Sequence, residues 1–165
     1  MNARVRRLQA EDAPAYRVLR LEGLRLHPTA FASAVEEEQE QPLAWFASRL
    51  AGGCAFGGEI AGELAGIASL VFSTRAKLRH KAALAGVYVR PDARGTGLAR
   101  DLLAAVLDHA AGRVEAVRLG VSAANPAALQ LYLRHGFVEY GREPNALRVG
   151  GQDWDEVLME RRLTA

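Results

Sequence analysis

Val87-Tyr88-Val89-Arg90-Pro91-Asp92-Ala93-Arg94-Gly95-Thr96-Gly97-Leu98-Ala99-Arg100 reads as a strand, a turn and the start of a helix. Val87, Tyr88 and Val89 favour extended, half-buried backbone. Pro91 has no N–H to give to a sheet ladder, so the strand ends before it. Leu98, Leu102, Val106 and Ala110, with Leu103 and Leu107 beside them, recur at the helical period. The first N–H groups of a helix find no acceptor inside it, and the macrodipole makes that end positive. Gly95 and Gly97 put no Cβ in the way of an approaching anion. Arg94 adds a planar cationic fork. Together these features predict a cradle for a diphosphate. The plainer alternative is a turn that needs glycine only for its backbone angles.

The phosphate ligand can be narrowed by what is missing. No Gly-Lys-Ser/Thr tripeptide occurs, so a Walker loop is excluded. A dinucleotide fingerprint needs a third glycine where Arg100 stands, and an acid after the next strand. Glu115 lies near the right distance but before that strand.

Composition excludes other classes. At 165 residues, one domain over 1–165 with a sizeable core is expected. A net charge of +2, from 21 basic and 19 acidic residues, does not call for a nucleic-acid partner. Arg75, Lys77, Arg79, His80 and Lys81 form the densest positive cluster and read as a solvated loop. The single cysteine, Cys54, permits no internal disulfide and suits a reducing compartment. No apolar run approaches the length of a membrane span, and no signal-peptide pattern opens the chain, so a cytoplasmic protein without a membrane partner is expected. His27, His109 and His135 lack metal-type spacing, and no metal is expected.

Outward from the central stretch, the chain alternates in a simple order. Val5 to Leu8 reads as a strand. Asp12 reads as the cap of a helix that buries Ala13, Tyr16, Leu19 and Leu24 or Leu26, and His27-Pro28 ends it. Glu36-Glu37-Glu38 and Glu40 form either the wet face of a short helix or a patch for a cationic amine. Pro42 opens a helix carrying Leu43, Phe46 and Leu50. Cys54–Ile60 and Glu63–Phe72 read as antiparallel strands joined at Ala61-Gly62. The central strand spans roughly Ala83 to Val89. After the central helix, Val114 to Val121 reads as a strand. Asn125-Pro126 opens a helix, Asn as cap and Pro in the first turn, and Gly136 closes it. Phe137 to Tyr140 and Trp154 to Glu160 complete an antiparallel pair around Gly150-Gly151. This order, β-α-α-β-β-β-α-β-α-β-β, implies an α/β protein (α+β, mixed sheet) with helices on both faces.

Two segments carry a family resemblance. Arg94-x-x-Gly97-x-Ala99 resembles the (Gln/Arg)-x-x-Gly-x-(Gly/Ala) motif of the GNAT superfamily of N-acetyltransferases. Asn125-Pro126-Ala127-Ala128-Leu129-Gln130-Leu131-Tyr132-Leu133-Arg134-His135-Gly136-Phe137 resembles the superfamily's Asn-x-x-Ala-x-x-Leu-Tyr-x-x-x-Gly-Phe segment. The order of elements is also that of the GNAT fold. Its sheet is mixed and mostly antiparallel, with one splayed parallel strand pair.

The resemblance implies an N-acetyltransferase that uses acetyl-coenzyme A as co-substrate and a primary amine as acceptor. The diphosphate would rest on backbone N–H groups of Gly95, Thr96, Gly97, Leu98 and Ala99, with Arg94 and Arg100 helping. The pantetheine arm would pair with backbone at Val87 and Val89, and the oxyanion donor would be the N–H of Val89 or Tyr88. Asn125 and Tyr132 would reach the arm and the sulfur, and Arg134 the outer phosphates. Tyr132 is the catalytic candidate. With reference pKa values of about 10 for a phenol and about 8.5 for a thiol, it works best as a hydrogen-bond donor to the leaving thiolate. Many members place a glutamate on the central strand. Ala83 to Val89 contains none, which leaves the base among Glu37, Glu38 and His80. The final hairpin, with Tyr140 to Pro144 and Asp153 to Glu156, would border the acceptor site and often a dimer contact. A non-catalytic acyl-CoA-binding module is the alternative.

Overall fold

The computed structural model describes residues 3–163. Its strands are β1 (Ala3–Arg7), β2 (Cys54–Ile60), β3 (Glu63–Phe72), β4 (Lys81–Val89), β5 (Ala116–Ser122), β6 (Val138–Val149) and β7 (Gln152–Arg162). Its helices are α1 (Ala13–Leu26), α2 (Val35–Glu38), α3 (Leu43–Gly52), α4 (Leu98–Ala110) and α5 (Pro126–Arg134). The strands form one sheet in the order β1-β2-β3-β4-β5-β7-β6. Neighbours are antiparallel except β4 and β5, which run parallel.

That parallel pair controls the molecule. It is joined at Lys81–Ala116, Ala82–Val117 and Ala83–Arg118. Beyond these pairs β5 gives its other edge to β7 as far as Ser122, while β4 continues to Val89 on β3. The two strands therefore part, and a wedge opens toward their C-terminal ends. Within β4 the register against β3 shifts, so that Gly86 and Val87 together oppose Ala68. Such a bulge bends the strand and re-aims its polar groups.

Two cores hold the sheet. α4 presents Leu98, Leu102, Leu103, Val106, Leu107 and Ala110 to one face, where they meet Phe56, Ala68, Leu84, Val89, Val117, Leu119 and Val121. Leu102 and Val106 are fully enclosed, and truncating such a leucine costs about 2–5 kcal/mol. On the opposite face α1 and α3 bring Tyr16, Leu19, Leu24, Phe46 and Leu50 against Ala55, Ile67 and Tyr88.

Three expectations change and one alternative is resolved. Asp12 holds the N-cap position of α1, but its side chain does not cap the helix: the carboxylate accepts the Gln9 N–H at 2.7 Å and pairs with Arg6 at 2.8 Å, so it closes the short turn before the helix. Of Leu24 and Leu26, only Leu24 is buried. Three helices, not two, precede β2, because Glu37 accepts the Ala34 N–H at 2.9 Å and starts the short α2. The last hairpin is far longer than expected. Pro144 lies inside β6, which is an edge strand where a missing N–H costs no ladder bond. The register slips between Glu143 and Leu147, and Asn145 takes a φ of 52° with its N–H held by the Asp155 carboxylate at 2.9 Å.

Candidate active site

The glycine turn stands at the mouth of the wedge. Gly95 and Gly97 have φ of 76° and 85°, a region that side chains rarely tolerate. Thr96 Oγ1 donates to the Ala93 carbonyl at 2.5 Å and accepts the Leu98 N–H at 3.4 Å, which pins the loop. The Asp101 N–H closes the first helical bond on Gly97 O at 3.0 Å. The N–H groups of Gly95, Thr96, Gly97, Ala99 and Arg100 meet no backbone acceptor among the described residues. The Arg100 guanidinium folds over Gly97, within 2.9 Å of where a Cβ would stand, and pairs with Asp101. Arg94 is exposed, and its Nη2 donates to His27 Nε2 at 3.0 Å. Burial, then the Arg94 charge, hold the His27 pKa below its ordinary value.

β4 lines one wall. Arg90 N–H goes to Ala65 O at 2.9 Å, so the polar groups of Val89 face away from β3, into the wedge. By the same alternation those of Tyr88 turn toward β3. The Tyr88 side chain packs beneath α1, against Gly23 and Phe31. Its hydroxyl is buried beside Glu22 without a well-formed hydrogen bond. Tyr88 is therefore a packing residue, and the expected backbone contact falls to Val89 and, past the bulge, Val87.

α5 lines the far wall. Asn125 caps it by accepting the Ala128 N–H at 3.2 Å, which commits its carbonyl oxygen and leaves its NH₂ without a partner among the described residues. Tyr132 is buried, with its ring edge-on to Phe137 at 5.7 Å. Burial pushes its phenol up to about 12. Arg134 is the last residue of α5. The neighbouring His135 carbonyl accepts from Arg161, which pairs with Val117, itself opposite Ala82. The C-terminal end of α5 is therefore tied to β7 near the paired end of β4 and β5, whereas the glycine turn follows Val89. The helix runs antiparallel to β5, and periodicity alone cannot supply that direction.

The three base candidates are not brought to the wedge. Glu37 serves as a cap at the start of α2. Glu38 is buried and gripped by Arg20 through Nε and Nη2, at 3.0 and 2.8 Å, with Arg49 at 3.2 Å. Burial alone would raise its pKa, but the Arg20 hydrogen bonds and charge, helped by Arg49, outweigh that and hold it below the ordinary carboxylate value. His80 precedes β4 at the paired end, roughly 25–30 Å from the turn at the rise of an extended chain.

One carboxylate escaped the motif reading. Val157 is in the α4-side core, so Glu156 beside it in β7 points to the opposite face. There its Oε1 lies 3.0 Å from where a Cβ on Gly120 of β5 would stand. The signal lay in the last hairpin, whose register could not be read past Pro144.

The sequence model of the Acetyltransferase (GNAT) family matches residues 14–137. The chain belongs to this family. Solved structures of GNAT proteins align along nearly its whole length. A ribosomal-protein-alanine N-acetyltransferase from Brucella melitensis is 26% identical, with TM-score 0.80, over 97% of this chain and 99% of that one. YncA from Salmonella typhimurium, solved with its cofactor acetyl-CoA, is 25% identical, with TM-score 0.81, over 100% and 96%. A GNAT superfamily phosphinothricin acetyltransferase from Sinorhizobium meliloti, in complex with AcCoA, shares the fold at 23% identity and TM-score 0.84, over 99% and 89%. This GNAT chain has the family's mixed sheet with its parted parallel strands. Among its described residues no group of three His, Cys, Asp or Glu side chains could hold a metal ion, and no helix is long and apolar enough to cross a membrane.

Proposed function

We propose that this GNAT acetyltransferase moves the acetyl group of acetyl-CoA to a primary amine by direct attack in a ternary complex. The observation that carries this reading is the wedge between β4 and β5, with unpartnered N–H groups at its mouth and a buried phenol on its wall. The diphosphate binds the N–H groups of residues 95–100, and Arg94 leaves His27 to meet it. The pantetheine arm lies along β4 as an added strand, bonded at Val89 and Val87, and Asn125 reaches it with its NH₂.

The chemistry follows from charge. The neutral amine attacks the thioester carbon, and negative charge grows on the carbonyl oxygen. A preorganised N–H, that of Val89, stabilises it. Collapse breaks the C–S bond, and the thiolate leaves with the electron pair. Tyr132, a neutral phenol at physiological pH, donates a hydrogen bond to that sulfur. Full proton transfer from a phenol near 12 to a thiolate of about 8.5 would be uphill. The cytoplasm is the proposed compartment, and a dimer through the final hairpin is the proposed assembly, since Val138 and Tyr140 are exposed there.

A thermal-shift screen tests cofactor choice. Acetyl-CoA at about 100 times its Kd adds about 2.7 kcal/mol of stability, while NAD and ATP leave the melting point unmoved. Thiol release with a panel of primary amines then tests transfer. Tyr132→Phe keeps acetyl-CoA affinity and loses about 10–100-fold in kcat, the worth of one hydrogen bond to a charged group. Binding without thiol release from any amine would instead mark a non-catalytic acyl-CoA module.

A further inference from the structure

We propose that Glu156 is the general base of this transferase, and that the acceptor is a cationic primary amine seated on the open face of β5 and β7. The assignment rests on the transferase reading above.

The placement is geometric. α1 and α3 pack over β2, β3 and β4, while the element that lies against β5 and β6 is the short turn at residues 28–30. The floor beside the parting of β4 and β5 is made of exposed small residues, Ala83, Ala85 and Gly120. Gly120 lies two residues beyond the last β4–β5 pair, so it flanks the apex of the wedge. The Glu156 carboxylate leans over it, in space that any side chain at 120 would fill. Across the gap, Arg20 Nη1 comes within 3.3 Å of where a Cβ on Gly86 of the bulge would stand. An amine reaching a thioester laid along β4 from this face passes Glu156.

Two neighbouring acids of β7 are already committed, whereas Glu143 of β6 is exposed. Asp155 holds Arg142 at 2.9 Å and the Asn145 N–H at 2.9 Å, and Glu160 holds Arg118 at 3.1 Å. Glu156 has no such partner among the described residues, and it is half-buried rather than sealed. The groups facing it are few. Ser122 of β5 and Glu143 of β6 stand directly opposite its two sides. Arg118 of β5 and Glu160 of β7 are paired with each other. The turn at residues 28–30, which lies against β5 and β6, carries no charge. Burial, then Glu143, push the Glu156 carboxyl above its ordinary value, toward what a base working near neutrality needs.

The step balances simply. The Glu156 carboxylate takes one proton from R–NH₃⁺, and the freed lone pair forms the C–N bond. The C–S bond breaks, a second amine proton passes to the departing sulfur, and the proton on Glu156 returns to solvent.

Thiol release is measured against pH, with acetyl-CoA saturating, for the wild type and Glu156→Gln. Glu156→Gln should lose about 10²–10³-fold in kcat/KM, keep the full acetyl-CoA thermal shift, and gain rate steadily as alkali deprotonates the amine. Glu143→Gln should move the acid limb of the profile to lower pH. In ¹³C-glutamate-labelled protein, Glu156 should titrate above the ordinary carboxylate range, and excess butylammonium should lower its midpoint. A Glu156→Gln protein at the wild-type rate, or a Glu156 resonance that butylammonium leaves in place, overturns the base while leaving the transferase reading standing. A wild type that binds acetyl-CoA yet releases no thiol from any amine overturns both.

Discussion

Burial holds the Tyr132 phenol at about 12, against 10 for a free one, and this has a consequence for stability as well as for chemistry. The unfolded chain ionises this group near pH 10, whereas the folded chain must keep it neutral. Its contribution is full below pH 10 and is lost as pH rises through about 12. Melting temperatures of the wild type should therefore fall over that window more steeply than those of Tyr132→Phe. Glu38 behaves in the opposite sense. Its folded pKa is depressed by Arg20 and Arg49 against the cost of burial, so its contribution is present above 4.5 and is lost as pH falls through the folded value. Glu38→Ala leaves Arg20 buried and unpaired, and should cost about 3–5 kcal/mol at neutral pH by urea unfolding. That penalty should shrink in acid, where the wild-type carboxylate is itself protonated.

The turn before α4 shows how local chemistry sets the function of an element. Gly97→Ala would hold an alanine at φ 85°, which costs about 1–2 kcal/mol, and would push a methyl against Arg100. Urea unfolding should register that loss, and calorimetry should show weaker acetyl-CoA binding from the crowded cradle. Elements of this kind were legible from sequence because they are short-range. The Leu98-to-Ala110 stripe, the Asn125 cap and the Gly136 end of α5 all depend on neighbours within a few positions. What could not be read depends on pairing between distant segments. Glu38 reads as a wet acid until Arg20 and Arg49 are brought beside it. His80 sits at the entrance of β4 as expected, but the direction of the strand carries it away from the turn. Glu156 belongs to the hairpin that the resemblance sets beside the acceptor, but only the β5–β7 register sets it over Gly120. It also lies past residue 137, where the family match ends, so no shared motif points to it.

At the scale of the molecule, the sheet is two blocks, β1 to β4 and β5 with β7 and β6. Among the described residues β4 and β5 pair across Lys81–Ala83 and Ala116–Arg118, and the Glu115 N–H adds a bond to His80 O at 2.7 Å just before them. α4-side side chains bridge them beneath, but the upper edge of β4 is bare. An acyl carrier laid there would act as the strand the fold omits. Amide exchange at Val89 should slow sharply when acetyl-CoA is added, and should stay fast with a free amine alone. Bound in the proposed place, the co-substrate would fasten this short join like a clasp. Cells starved of that co-substrate would hold a looser, more readily digested population of this protein, so limited proteolysis would follow their acyl-carrier supply.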